Sequence, residues 1–243
     1  MPRKTRLAYG RIVLKISGEG LCRPGGFGLD ADEIERLARE ISRVHEARAQ
    51  VAVVVGGGNL LRGATAARDA RLPEATAHYM GMLATVINAL ALQEAIESFG
   101  VETRVMSSIA VAAVCEPFAR RRCIAHLEKG RVVILAAGTG RPFVTTDTAA
   151  ALAALEIGAD ALLKATKVDG VYSADPARNP KAKFYPHLSY DRAIADRLGV
   201  MDLTALEMCR QKHIPVIVFS LKKNGNIRKV VLGGKVGTII DAR

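Results

Sequence analysis

Ala137-Gly138-Thr139-Gly140-Arg141-Pro142-Phe143-Val144-Thr145-Thr146-Asp147 lies between an apolar run, Val132 to Ala136, and an alanine-rich segment, Thr148 to Gly158. The run reads as a buried strand and the segment as a helix. Strand, glycine turn, hydroxyl pair, acid, helix is the order in which backbone N–H groups gather around an anion. The hydroxyls of Thr139, Thr145 and Thr146 add donors suited to phosphate oxygens. Thr146 or Asp147 serves equally as an ordinary helix N-cap, so this stretch alone reads as readily as a capped strand-to-helix turn. Two similar arrangements upstream tip the reading toward binding.

The first is Arg11 to Ile16, a strand that runs into Ser17-Gly18-Glu19-Gly20. Lys15 stands near its end, where a side chain can project into a crevice at the carboxyl edge of a sheet. There a lysine meets a phosphate as a point charge while the turn's N–H groups approach closely. The pattern GxxxxGK[ST] is absent, so this is not a P-loop. The second is Val51 to Val55, which delivers Gly56-Gly57-Gly58-Asn59 with Arg62 within one turn. Three glycines permit close approach of a ligand or a second backbone, and arginine adds a cation capable of bidentate contact.

Around these loops strands and helices alternate. Asp30 and Glu33 resemble a capping box ahead of a core-facing stripe from Ile34 to Val44. Residues 64–72 lack a strong period, and a long helix is expected from Glu74 to Phe99, with Gly100 at its C′ position. Val101–Met106 reads as a strand, Pro117–Lys129 as a helix and Ala161–Lys164 as another strand. Residues 165–176 mix strand residues with Asp-Gly and Asp-Pro turns and carry Lys, Tyr and Asp that suit an adenine and ribose. Arg178–Ser189 reads as a polar loop, followed by short helices near 191–198 and 202–213 and a strand at 215–219. The end reads either as two strands or as a helix and a strand. Such alternation implies an α/β fold with a mainly parallel sheet covered on both faces and its glycine loops along one edge.

With 243 residues and 49% hydrophobic content, the chain is expected to form one domain, 1–243, with a basic extension at 1–10. Aromatics are only 5% and Trp is absent, so the core must be built from Ala, Val, Ile and Leu. A charge of +11 favours anionic partners such as nucleotides or phosphorylated metabolites. The cluster Arg120-Arg121-Arg122 has no interleaved aromatics and reads as a solvated helix face, so nucleic acid is not the expected partner. Cys22, Cys115, Cys123 and Cys209 show neither CxxC nor metal spacing and are expected as free thiols in a reducing cytoplasm. No protein-built metal site, membrane span or signal peptide is expected.

With these residues in view, the chain resembles the amino acid kinase superfamily and, within it, the bacterial uridylate kinases. The resemblance runs from about Arg11 to Asp241. Its most specific pieces are Lys15–Glu19, Gly56–Asn59, Met80–Thr85, Gly138–Asp147, Lys164–Tyr172 and Val200-Met201-Asp202. It implies a three-layer αβα sandwich that transfers the γ-phosphoryl of ATP to UMP, with Mg²⁺ bound mainly through ATP phosphates. It implies an acceptor part over roughly 11–158 and an ATP part over roughly 159–243. On that resemblance Lys15, Ser17, Gly18, Gly58 and Arg62 hold ATP phosphates, Ile16 belongs with them to the ATP site, and Thr166, Tyr172 and Asp175 hold its adenosine end. Gly57, His78 and the loop Thr139, Gly140, Arg141, Pro142, Phe143, Val144, Thr145 and Thr146 hold UMP. Lys15, Arg62 and Asp147 form the catalytic set, with Asp147 orienting cations rather than attacking. A homohexamer and feedback inhibition by UTP are implied as well. GTP activation is not expected, because Gln93 and Glu97 stand where basic residues are usual.

Two departures bear on the acceptor. The family usually has Asp where His78 stands, and Arg141 replaces a common Asn. Weaker UMP binding is the expectation from His78, since a neutral imidazole cannot match a carboxylate's two acceptor oxygens. The competing readings are another kinase of the superfamily acting on a carboxylate or carbamate, and a regulator that binds nucleotide or nucleic acid without turnover. The hydroxyl-rich loop argues against the first; Lys15, Arg62 and Asp147 together argue against the second.

Overall fold

The computed structural model describes residues 6–61 and 71–243. Nine strands form one sheet among the described residues, built around β1 (Arg11–Ile16) and β2 (Gln50–Val55). Beyond β2 come β5 (Val132–Ala136), β3 (Thr103–Ser107) and the short β4 (Glu116–Pro117). On the other side of β1 lie β6 (Ala161–Thr166), β10 (Val216–Ser220), β11 (Thr238–Asp241) and β9 (His187–Ser189). All neighbours pair in parallel except β10 with β11. A separate antiparallel pair, β7 (Val171–Tyr172) and β8 (Phe184–Tyr185), lies within the stretch after β6.

The period of two along each strand sends alternate side chains into two cores. Ile12, Leu14 and Ile16 join Val51, Val53 and Val55 beneath α1 (Ala31–Glu46), α2 (Glu74–Glu97) and α7 (Asn226–Val231). Val13, Val54, Leu135 and Leu162 face the opposite way, toward α3 (Arg120–Glu128), α4 (Thr146–Ile157), α5 (Tyr190–Ala195) and α6 (Leu203–Gln211). The architecture is therefore the expected αβα sandwich. Alanines at 149, 150, 151, 153 and 154 keep α4 close to the sheet, so that its first turn is held over the strand ends.

Local departures from the sequence reading have physical causes. Asp30 caps α1 by accepting from the Glu33 N–H at 3.2 Å, but the Glu33 carboxylate bonds Arg36 and leaves the box half made. Thr145, one residue before the expected cap, caps α4. Residues 178–189 are not all loop, because Phe184–Tyr185 and His187–Ser189 pair as strands. Pro117 lies in β4, and α3 begins at Arg120. The chain end is a helix and then a strand. All four cysteines are free and buried, and burial pushes the Cys123 and Cys209 thiols up to about 12. By length and composition α2 could cross a membrane, yet Leu92 and Ile96 are fully buried in the core.

Candidate active site

The centre of the site follows from strand register. Lys15 on β1 is paired directly beside Lys164 on β6. Each lies two residues beyond a side chain of the α4-side core, Val13 and Leu162, so the pleat turns both lysines toward α4. Asp147 in the first turn of α4 meets them both. Its Oδ1 is 2.7 Å from the Lys15 ammonium, an ion pair without hydrogen-bond alignment, and its Oδ2 accepts from Lys164 at 2.6 Å. The three side chains are only 10%, 13% and 13% exposed for Lys15, Lys164 and Asp147. Lys164 also donates to the Val200 carbonyl.

Burial by itself would raise the Asp147 carboxyl; the adjacent Lys15 and Lys164 ammoniums outweigh it and hold the group below the ordinary carboxylate range. For Lys164 burial dominates and lowers its affinity for a proton, opposed by Asp147 and reinforced by Lys15. Because the folded chain protonates Asp147 less readily than the unfolded chain, this carboxylate stabilises the fold above about pH 4, and that contribution fades as pH falls further. Urea midpoints measured across the acid range are expected to drop below about pH 4 for the native chain and more shallowly for Asp147→Asn.

The glycine loops at the ends of β1 and β2 are locked together. A Cβ on Gly18 would stand 2.4 Å from Asn59 Oδ1 and 2.7 Å from the Gly58 nitrogen. Asn59 and Asn88 are buried and exchange amide hydrogen bonds at 2.7 and 3.0 Å. Asn88 also donates to the Gly56 carbonyl and Asn59 to that of Gly28. Ser17 and Gly18 begin a short 3-10 turn at this junction, while the Ile16 side chain is in the core, leaving only its backbone at the loop. Arg62 lies outside the described residues, as do most of residues 64–72.

Two cavities are lined by neighbours of this cluster, one by Thr146 and the other by Val200. One, of about 170 Å³, brings together Gly57, His78, Thr139, Arg141, Val144 and Thr146 with Met82 and Thr85. Thr85 secures its floor by accepting from the Ala137 N–H at 2.6 Å. Gly140, Pro142, Phe143 and Thr145 do not line it. Gly140 packs on Ser108, where a Cβ would lie 2.7 Å from the Ser108 carbonyl oxygen, and Phe143 sits at positive φ with its ring 5.0 Å from that of His78. The Thr145 hydroxyl is used locally, accepting from the Asp147 and Thr148 N–H groups and donating to Asp202. The Thr139 hydroxyl is buried without a hydrogen-bond partner, and it also borders a further cavity of about 430 Å³ under α4.

The other cavity, of about 380 Å³, is lined by Thr166, Tyr172 and Asp175, with residues 196–200 and Val218. Sequence reasoning gave no role to Lys164, Thr85, Asn88, Thr148 or Asp202. Lys164, Thr85 and Asp202 stood inside motifs of the resemblance, but their partners are set by register and by how helices dock.

The model of the amino acid kinase family matches residues 10–220. The chain belongs to that family. It is 52% identical over 236 residues to the uridylate kinase of Methylococcus capsulatus, covering 97% of this chain and 98% of that one. It is also 52% identical over 242 residues to the uridylate kinase of Dichelobacter nodosus, covering 100% of both. The crystal structure of UMP kinase from Bacillus anthracis superposes with a TM-score of 0.93 at 38% identity, covering 96% of each chain.

Proposed function

We propose that this chain transfers the γ-phosphoryl group of ATP to UMP, forming UDP and ADP for pyrimidine nucleotide synthesis. The observation that carries this reading is the Lys15–Asp147–Lys164 cluster, whose neighbours line two cavities. Thr146, next to Asp147, lines one of them, and Val200, the partner of Lys164, lines the other. UMP is assigned to the His78 cavity, and the adenosine of ATP to the Tyr172 cavity. Glycine-loop N–H groups and Arg62 hold the ATP phosphates, and the Thr146 hydroxyl with nearby loop N–H groups holds the phosphate of UMP.

A phosphate oxygen of UMP forms a bond to the γ-phosphorus while the bond from that phosphorus to the bridging oxygen of ADP breaks. The two ammoniums face charge spreading over the transferred group, and Asp147 fixes their positions. Such chemistry depends on alignment and charge stabilisation, with no covalent enzyme intermediate. Asp147 is committed to two ammoniums and Asp202 to threonines, so the donor set fits Mg²⁺ carried on the phosphates of ATP rather than a cage of protein ligands.

ADP release with ATP and Mg²⁺, measured separately with UMP, CMP, dUMP and AMP, tests the assignment. Turnover confined to UMP supports it, and ATP binding without turnover of any acceptor overturns it in favour of a regulator. In His78→Asp the carboxylate would offer ribose hydroxyls two acceptor oxygens. The KM for UMP is expected to fall about tenfold with little change in kcat, and an unchanged KM would remove His78 from acceptor recognition.

Assembly as a homohexamer, feedback inhibition by UTP and residence in the cytoplasm complete the proposal. Tyr79, Met80, Leu83 and Ile87 form an exposed apolar face on α2 that suits burial against a second copy. Sedimentation checks the assembly.

A further inference from the structure

Val200-Met201-Asp202 stands out in the sequence, yet the reaction above leaves Asp202 without a task. Its carboxylate is the meeting point of two helix N-termini. Oδ1 accepts from the Ala205 N–H at 2.8 Å and caps α6. Both oxygens lie 2.9 Å from the Thr148 hydroxyl, and Oδ2 also accepts from Thr145, the cap of α4. Residues 196–200 form one wall of the ATP cavity, and the Val200 carbonyl at the end of that wall accepts from Lys164.

We propose that Asp202 is a positioning residue for phosphoryl transfer, tying the wall of the donor cavity to the first turn of α4 and thereby setting Asp147 against Lys15 and Lys164. This rests on the kinase reading given above. Asp147 is one residue from Thr148 and two from Thr145, so displacement of these hydroxyls turns the start of α4 and moves the carboxylate. Displacement of the Val200 wall moves the carbonyl that helps orient Lys164. One carboxylate can hold both because its two oxygens offer about four acceptor directions. The larger effect belongs in kcat, since the cluster acts at the reacting phosphate; a smaller rise in the acceptor KM accompanies it, because Thr146, assigned to the UMP phosphate, lies in the same turn.

The test is steady-state kinetics with ATP and UMP on the full chain, comparing Asp202→Ala, Asp202→Asn, Thr148→Val and the double variant Asp202→Ala/Thr148→Val. Asp202→Ala is expected to lower kcat by about 100-fold, the scale of a loss of alignment near 1 Å. Asp202→Asn retains one oxygen for capping and for a threonine and should recover most of that loss. Thr148→Val leaves the α6 cap intact and should lower kcat by about tenfold. The double variant should be no slower than Asp202→Ala, because both changes break one link. Ser189→Ala, which removes the cap of α5, is the stability control and should leave kcat unchanged.

Unchanged kcat in Thr148→Val, or additive losses in the double variant, would overturn the proposal even if Asp202→Ala fails to fold. A kcat loss in Ser189→Ala equal to that in Asp202→Ala would reduce Asp202 to a structural cap. An inactive native chain would instead overturn the kinase reading itself.

Discussion

Asp147→Asn is expected to reduce turnover by about 10³-fold, the upper end of what removal of one well-placed electrostatic group does to kcat. The carboxylate is the common partner of two buried ammoniums. An amide of the same shape supplies one oxygen without charge, so Lys15 and Lys164, adjacent in register, are left to repel each other. Removing one member from a buried ionic group typically costs about 3 kcal/mol or more of stability, because the remaining charge is left unpaired. Lys164 offers the escape: its proton affinity is already lowered by burial, and without Asp147 it falls further. The residual activity should therefore be greater at lower pH, where Lys164 keeps its proton. A coupled ADP assay across pH and a parallel urea titration check this. Near-native kcat in a folded variant would show that Asp147 does not organise the cations.

How far the site could be read from sequence follows from which forces act locally. Lys15, the glycine loops and the Gly138–Asp147 stretch were legible because strand, turn and helix signals are contiguous, and their layering followed from the alternation of strands with helices. Lys164 was invisible as a partner of Lys15. Nothing within Ala161–Thr166 says that β6 sits beside β1 in a register that pairs the two lysines. Thr145 and Thr146 look interchangeable in sequence, but α4 starts where Thr145 becomes the cap, which spends one hydroxyl on backbone and Asp202 and leaves Thr146 at the acceptor cavity. Asn88 was hidden within a helix pattern, although it joins Asn59 in holding two loops far apart in sequence. Asp202 stood at the start of an expected helix and within a motif of the resemblance, but its cap and its contact with α4 depend on how two helices dock. Thr166, Tyr172 and Asp175 were grouped by the resemblance, and the fold sets them around one cavity with residues 196–200 as a wall that the sequence did not show.

Gly18→Ala should be nearly as damaging as loss of Asp147, for a steric reason. Gly18 has no positive φ, so alanine meets no backbone penalty of its own. Its Cβ would instead stand 2.4 Å from Asn59 Oδ1, 2.7 Å from the Gly58 nitrogen and 2.9 Å from the Gly56 carbonyl oxygen. Two of these atoms are backbone, and the third is held by Asn88 at 2.7 Å, so none can yield without opening the junction of the β1 and β2 loops. Overpacking of a well-packed site costs about 1–3 kcal/mol. The same separation displaces N–H groups assigned to ATP phosphates, and kcat/KM for ATP is expected to fall by about 100-fold. Gly20→Ala provides the contrast within the same turn: its nearest contacts are the Leu221 Cδ2 methyl at 3.0 Å and the Ile16 Cγ2 branch methyl at 3.1 Å, with no backbone atom among them. Leu221 can shift and the Ile16 contact is tight without being a clash, so this variant should lose about 1 kcal/mol and keep most of its activity. Thermal melting and ATP kinetics on the two variants separate the cases. Equal behaviour would mean that close approach of the loops at Gly18 does not set the donor site.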